Sequence, residues 1–102
     1  MNRFAVRFTE EAREDIIRLF DFLLQFDIDV ALRARQTIED SFKLLEQFPF
    51  NCRKAAHGAY GPRIRELIIS FGSTGYVALF EIDDATTVTV LAIRHQREED
   101  FH

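Results

Sequence analysis

The chain has 102 residues and 47% apolar, 29% charged composition with 4 Gly and 2 Pro, so it reads as one compact domain over residues 1–102 and not as a disordered or fibrous chain. A single cysteine, Cys52, excludes an internal disulfide and a cysteine zinc clamp, and the absence of a long apolar run implies no membrane span and a cytoplasmic protein. The net charge of −4 is unevenly spread: residues 1–48 carry 7 basic and 10 acidic groups, residues 49–97 carry 6 and 4, and Glu98, Glu99 and Asp100 follow.

Phe4, Val6 and Phe8 alternate with Arg3, Ala5 and Arg7, the period-2 pattern of a half-buried strand over residues 3–8. Thr9 offers an N-cap hydroxyl, and Glu10 and Glu11 suit the positive end of a helix dipole. From there Ala12, Ile16, Leu19, Leu23 and Phe26 form one stripe at the 3.6 period, with Ile17, Phe20 and Leu24 on its shoulder. The shoulder either packs inside a helical hairpin or lines a binding groove. Phe22 lies on the other flank, where a large apolar group suits a partner better than solvent.

The break at Asp27-Ile28-Asp29 makes Asp29 an N-cap, after which Val30, Ala34, Ile38, Ser41, Leu45 and Phe48 continue on one face until Pro49 stops the helix. Two helices joined this closely form an antiparallel hairpin. Leu32, with Arg33 and Arg35 beside it, lies off the core face and suits the rim of a groove. Residues 50–62, with Gly58, Gly61 and Pro62, read as a loop.

Arg63–Ser70, Tyr76–Ile82 and Thr86–Ile93 are rich in residues that fit a pleated surface, and residues 71–75 and 83–85 have the length and composition of hairpin loops. The expected architecture is α+β, in the order β-α-α-β-β-β. An antiparallel meander takes strand one at its edge, and the helical hairpin covers one face.

Arg65-Glu66-Leu67, the run from Gly75 to Phe80, the run from Ala92 to Glu98, and Phe8-Thr9-Glu10-Glu11-Ala12-Arg13-Glu14-Asp15 together resemble the ParE branch of the ParE/RelE toxin superfamily over almost the whole chain. The resemblance implies the toxin of a type II toxin–antitoxin module, neutralised by a ParD-like antitoxin that folds over it. ParE-type members inhibit DNA gyrase and trigger the SOS response, whereas RelE-type members cut mRNA. Both outcomes are growth arrest.

Metal-independent mRNA cleavage, the alternative, needs a base, an acid and a cation at the scissile phosphate. Candidates are Arg53, Arg63, Arg65, Arg94 and Arg97 with His57, His95 or His102. Against it stand the acidic helical half, the two lysines against eleven arginines, and the acidic run at Glu98. A gyrase inhibitor needs a binding surface and no catalytic residue. Its expected target-binding residues are Arg65, Arg94, His95 and Arg97, presented by neighbouring strands as one cationic patch. The antitoxin would take Ile17, Phe20, Phe22, Leu24, Leu32, Arg33 and Arg35. No metal, cofactor, membrane or sequence-specific nucleic-acid contact is implied. Structural roles compete at these positions: Arg65 can pair with Glu81 across the sheet, His95 can pack or cap, and Cys52 reads as a half-buried loop residue.

Overall fold

The computed structural model describes residues 3–55 and 63–96. Strand β1 (Ala5–Phe8) leads through Thr9 into α1 (Glu10–Leu24), and α2 (Ile28–Leu45) follows after a tight turn. A 3-10 turn at Pro49–Asn51 precedes a two-residue strand, β2 (Arg53–Lys54). The last three strands are β3 (Ile64–Phe71), β4 (Thr74–Ile82) and β5 (Thr87–His95). They build one five-stranded sheet in the order β1-β5-β4-β3-β2.

The meander and the hairpin are as the sequence implies, and the α+β class holds. Three details differ. The sheet is mixed, because β1 runs parallel to β5, with Ala5 opposite Thr87 and Phe8 opposite Val90. The Phe4 N–H donates to Glu46 O at 2.7 Å, so the helical hairpin returns the chain to the start of strand one, and two antiparallel reversals after β3 leave β5 running the same way as β1. Secondly, the segment expected as loop contributes β2, whose Arg53 and Lys54 sit opposite Glu66 and Arg65. Thirdly, the β3–β4 connection is shorter than the expected five residues: Phe71 pairs with Thr74 across Gly72 and Ser73. Gly72 takes φ of +64°, which a side chain disfavours. Gly75 then allows close strand approach, since a Cβ there would lie 2.1 Å from the Ile69 carbonyl oxygen.

Both helices start on side-chain caps. Thr9 Oγ1 accepts from Ala12 N–H at 3.1 Å. At α2 the cap is Asp27 and not Asp29: Asp27 Oδ1 accepts from the N–H groups of Asp29 at 2.8 Å and Val30 at 3.3 Å. Asp27 has extended backbone, the conformation a cap requires, and Asp29 becomes the acidic residue of the first turn.

The sheet has two unlike faces. Leu67, Ile69, Tyr76, Ala78, Phe80, Val88 and Val90 meet Leu19, Ile38, Phe42 and Leu45 of the helices in the main core. Ile64, Val77, Leu79 and Ala92 form a smaller cluster on the opposite face. Phe26 and Phe48, expected on the core stripes, are exposed, because α1 ends at Leu24 and α2 at Leu45, before either is reached. Phe42 and Ala31 take core positions in α2 instead.

Among the described residues, no helix is long and apolar enough to cross a membrane.

Candidate functional site

Three surfaces combine functional side chains. The first is the seam between α1 and β5. Beyond Val90, β5 no longer has β1 beside it, and α1 takes over the free edge. Thr9 N–H donates to Val90 O at 3.0 Å, and Thr9 Oγ1 donates to Leu91 O at 3.0 Å. One turn further on, Asp15 Oδ2 accepts the Ile93 N–H at 2.9 Å. Arg94 Nη1 reaches the same carboxylate at 3.2 Å, and Arg18 stands 3.7 Å from it. Glu11 adds a longer ion pair to Arg94 at 3.8 Å.

Asp15 is only 6% exposed. A buried carboxylate is tolerated when its oxygens are occupied by donors and opposite charge, as here. Sequence reading overlooked Asp15. The available signal was its position, three residues after Ala12 and four before Leu19, on the inward stripe of α1.

The expected single cationic patch does not form. Arg65 lies opposite Phe80 and Arg94 opposite Val77, so they occupy different faces of the sheet. They are also three residues apart along β4, about 10 Å at ~3.3 Å per residue. Arg65 does not pair with Glu81, which sits opposite Ile64. Its Nη1 donates to Cys52 O at 2.6 Å and to Phe50 O at 3.3 Å, and its guanidinium lies 5.5 Å from the Phe50 ring centroid. Arg65 therefore ties the 3-10 turn to the sheet. His95 sits opposite Tyr76, their rings T-shaped at 5.6 Å, so it joins Tyr76 and not the Arg65 cluster. Arg97, His57 and His102 lie outside the described residues.

The second surface is an apolar cleft of about 300 Å³ between the two helices, closed at the sheet side by Phe42 and Tyr76. Ile17, Phe20 and Arg35 of the expected antitoxin set line it. Arg35 is held across the mouth by Glu39 at 3.2 Å and lies over the Phe20 ring at 5.7 Å. Ile17 and Leu24 are exposed, so the shoulder stripe is not sealed inside the hairpin. Phe22 stands outside the cleft on the flank, edge-to-face with Phe26 at 5.1 Å. Leu32 and Arg33 are exposed on α2. Burial pushes the Tyr76 phenol above its ordinary value.

The third surface is a pocket of about 430 Å³ where the β2–β3 ribbon meets the β4–β5 turn, lined by Phe50, Lys54, Arg63, Arg65 and Asp84 with Ile82 and Ala85. Arg53, beside it in sequence, is committed to the buried Glu66 at 2.7 Å. Cys52 is half-buried, and desolvation pushes its thiol up, partly offset by the nearby Arg65 charge. Among the described residues no group of three or more His, Cys, Asp or Glu could hold a metal.

Two helices packed on one face of a mixed five-stranded sheet are consistent with the ParE/RelE-like fold. The chain belongs to the ParE toxins of type II toxin–antitoxin systems, parDE, whose family model matches residues 6–100. Among solved structures it is similar to a chain of the chromosomal ParDE toxin–antitoxin system from P. aeruginosa, with a TM-score of 0.71 and 20% identity over 91% of this chain and 96% of that one. At that identity the likeness shows the fold. No curated protein sequence matches the chain.

Proposed function

We propose that this toxin arrests growth by binding DNA gyrase in the cytoplasm, and that a ParD-like antitoxin neutralises it by folding against the helical hairpin. The observation that carries the reading is the match to the ParE toxin model across residues 6–100. The cleft and its exposed rim supply the chemistry for the antitoxin. A disordered, amphipathic tail gains apolar area against Ile17 and Phe20 and charge partners in Arg33 and Arg35 as it orders.

Gyrase inhibition requires only that one conformational state of the enzyme be bound better than the others, since a ligand shifts an equilibrium by its differential affinity. Arg94 and His95 at the end of β5, with Arg97 after them, form one element of the target surface, and Arg65 belongs to a separate one. Two of the cations a ribonuclease would aim at phosphate have other work: Arg94 holds Asp15 and Arg53 holds Glu66.

The test is a gyrase supercoiling assay with the purified toxin, with and without ATP, beside a translation reaction probed for mRNA cleavage. Lost supercoiling with trapped, cleaved plasmid and intact mRNA is the expected result. Intact supercoiling with cut mRNA overturns it in favour of the RelE-like chemistry. Adding the cognate antitoxin in equimolar amount should restore supercoiling.

A further inference from the structure

The pocket at the β4–β5 end of the sheet gathers three basic side chains into one concavity. Arg94 is clamped by Asp15, Arg53 by Glu66 and Arg35 by Glu39. Lys54 and Arg63 have no carboxylate within ion-pair distance among the described residues, yet they converge with Arg65 on one concavity of about 430 Å³. Arg65 is immobilised there by its two carbonyl acceptors and by the Phe50 ring, so one of the three cations is already ordered before any ligand arrives. Ordering a cation beforehand removes part of the entropic cost of binding.

The one acid in the lining, Asp84, is turned to its own backbone. Its Oδ1 accepts the Thr86 N–H at 2.8 Å and the Thr86 hydroxyl at 2.9 Å. It therefore stabilises the β4–β5 turn and forms no ion pair with Lys54 or Arg63. Phe50, 62% exposed, adds a large apolar surface to the same wall. Three cations beside an exposed aromatic ring suit an anion that carries apolar groups as well as charge.

From this arrangement we infer that the pocket is a docking site for a short acidic segment of a protein partner, with carboxylates on Lys54, Arg63 and Arg65 and an apolar side chain on Phe50. Protein carboxylates suit the pocket better than a nucleic-acid backbone for a reason of charge. The chain as a whole is at −4 and its first 48 residues at −3, so a long polyanion meets repulsion as soon as it leaves the pocket. A short peptide occupies the concavity alone, where three cations outnumber the one acid, Asp84. Arg guanidinium, as in Arg65, also matches a carboxylate in two-pronged geometry. The site is remote from the helical cleft and stands whether the toxin's target is gyrase or mRNA.

The experiment uses two probes of equal charge against the full chain: an end-capped eight-residue peptide of alternating glutamate and leucine, and an oligothymidylate with as many phosphodiesters as the peptide has carboxylates. Binding is followed by amide chemical-shift titration, so the site is read directly. The expected result is saturable peptide binding with shifts concentrated at the amides of Phe50, Lys54, Arg63 and Ala85. It should weaken roughly tenfold in the double variant Lys54→Gln/Arg63→Gln, a change of ~1.4 kcal/mol. That variant keeps the Arg65 tether, and an unchanged thermal midpoint confirms that folding is intact. Phe50→Ser separates the apolar contribution and should weaken the peptide alone. Three results overturn the inference: no saturable peptide binding, equal binding by the double variant, or oligothymidylate bound in the pocket more tightly than the peptide.

Discussion

The two ends of the sheet use the same residue type in opposite ways. At the β5 end, Arg94 meets a buried carboxylate that also serves the backbone, and every polar group there has a partner. At the β4–β5 turn, Arg63 and Lys54 face a concavity. The comparison shows that the number of arginines says little about a surface, and that the location of each counter-charge decides whether a cation builds the fold or remains able to bind.

The sharpest way to break this comparison is Asp15→Ala. It leaves the Ile93 N–H and a partly buried guanidinium without their acceptor, and should cost about 3–5 kcal/mol in urea denaturation. By contrast, Lys54→Gln/Arg63→Gln should change stability by under ~0.5 kcal/mol. Equal effects of the two changes would erase the distinction. Thr9→Ala comes next, because one hydroxyl both caps α1 and donates to Leu91 O. A loss of about 1–2 kcal/mol is expected in the same assay. A loss of only a few tenths would mean that water replaces both contacts.

Smaller effects sharpen the turn end. Cys52, its thiol pushed up chiefly by burial, should react with iodoacetamide at pH 8 more slowly in the folded chain than in the chain unfolded in urea. Matching rates would show that the 3-10 turn opens faster than alkylation. The smallest effect concerns Asp84, whose hydrogen bonds to Thr86 hold its carboxyl below the ordinary value. A lowered folded-state pKa contributes stability that is complete above the unfolded value and lost as pH falls through the folded one. Asp84→Asn should therefore lower the thermal midpoint slightly through the neutral region and converge with the parent chain at low pH, which flattens the acid limb of a thermal-midpoint-against-pH curve.

Elements with a strong period were legible from sequence. Strand β1, both helices and the three-strand meander each carry a repeating apolar pattern longer than a single packing accident produces. The cap at Asp27 was misplaced by two residues because both aspartates qualify chemically and only backbone conformation separates them. The helical cleft was partly legible: Ile17, Phe20 and Arg35 share it, whereas Phe22 turns to Phe26. The cationic patch was not, because strand alternation fixes faces only within one strand. Relating Arg65 to Arg94 requires the register of two ladders and the irregularity between Leu79 and Phe80. The three-cation pocket was invisible for the same reason, since its walls come from segments more than 30 residues apart in the chain.

The parallel seam between the first strand and the last carries a consequence for synthesis. In the finished sheet β1 has one neighbour, β5, and Thr9 is bonded to Leu91 across a separation of 82 residues. During translation the first strand therefore leaves the ribosome with no strand to pair with until nearly the whole chain has followed it. Contacts this distant in sequence close late and slowly.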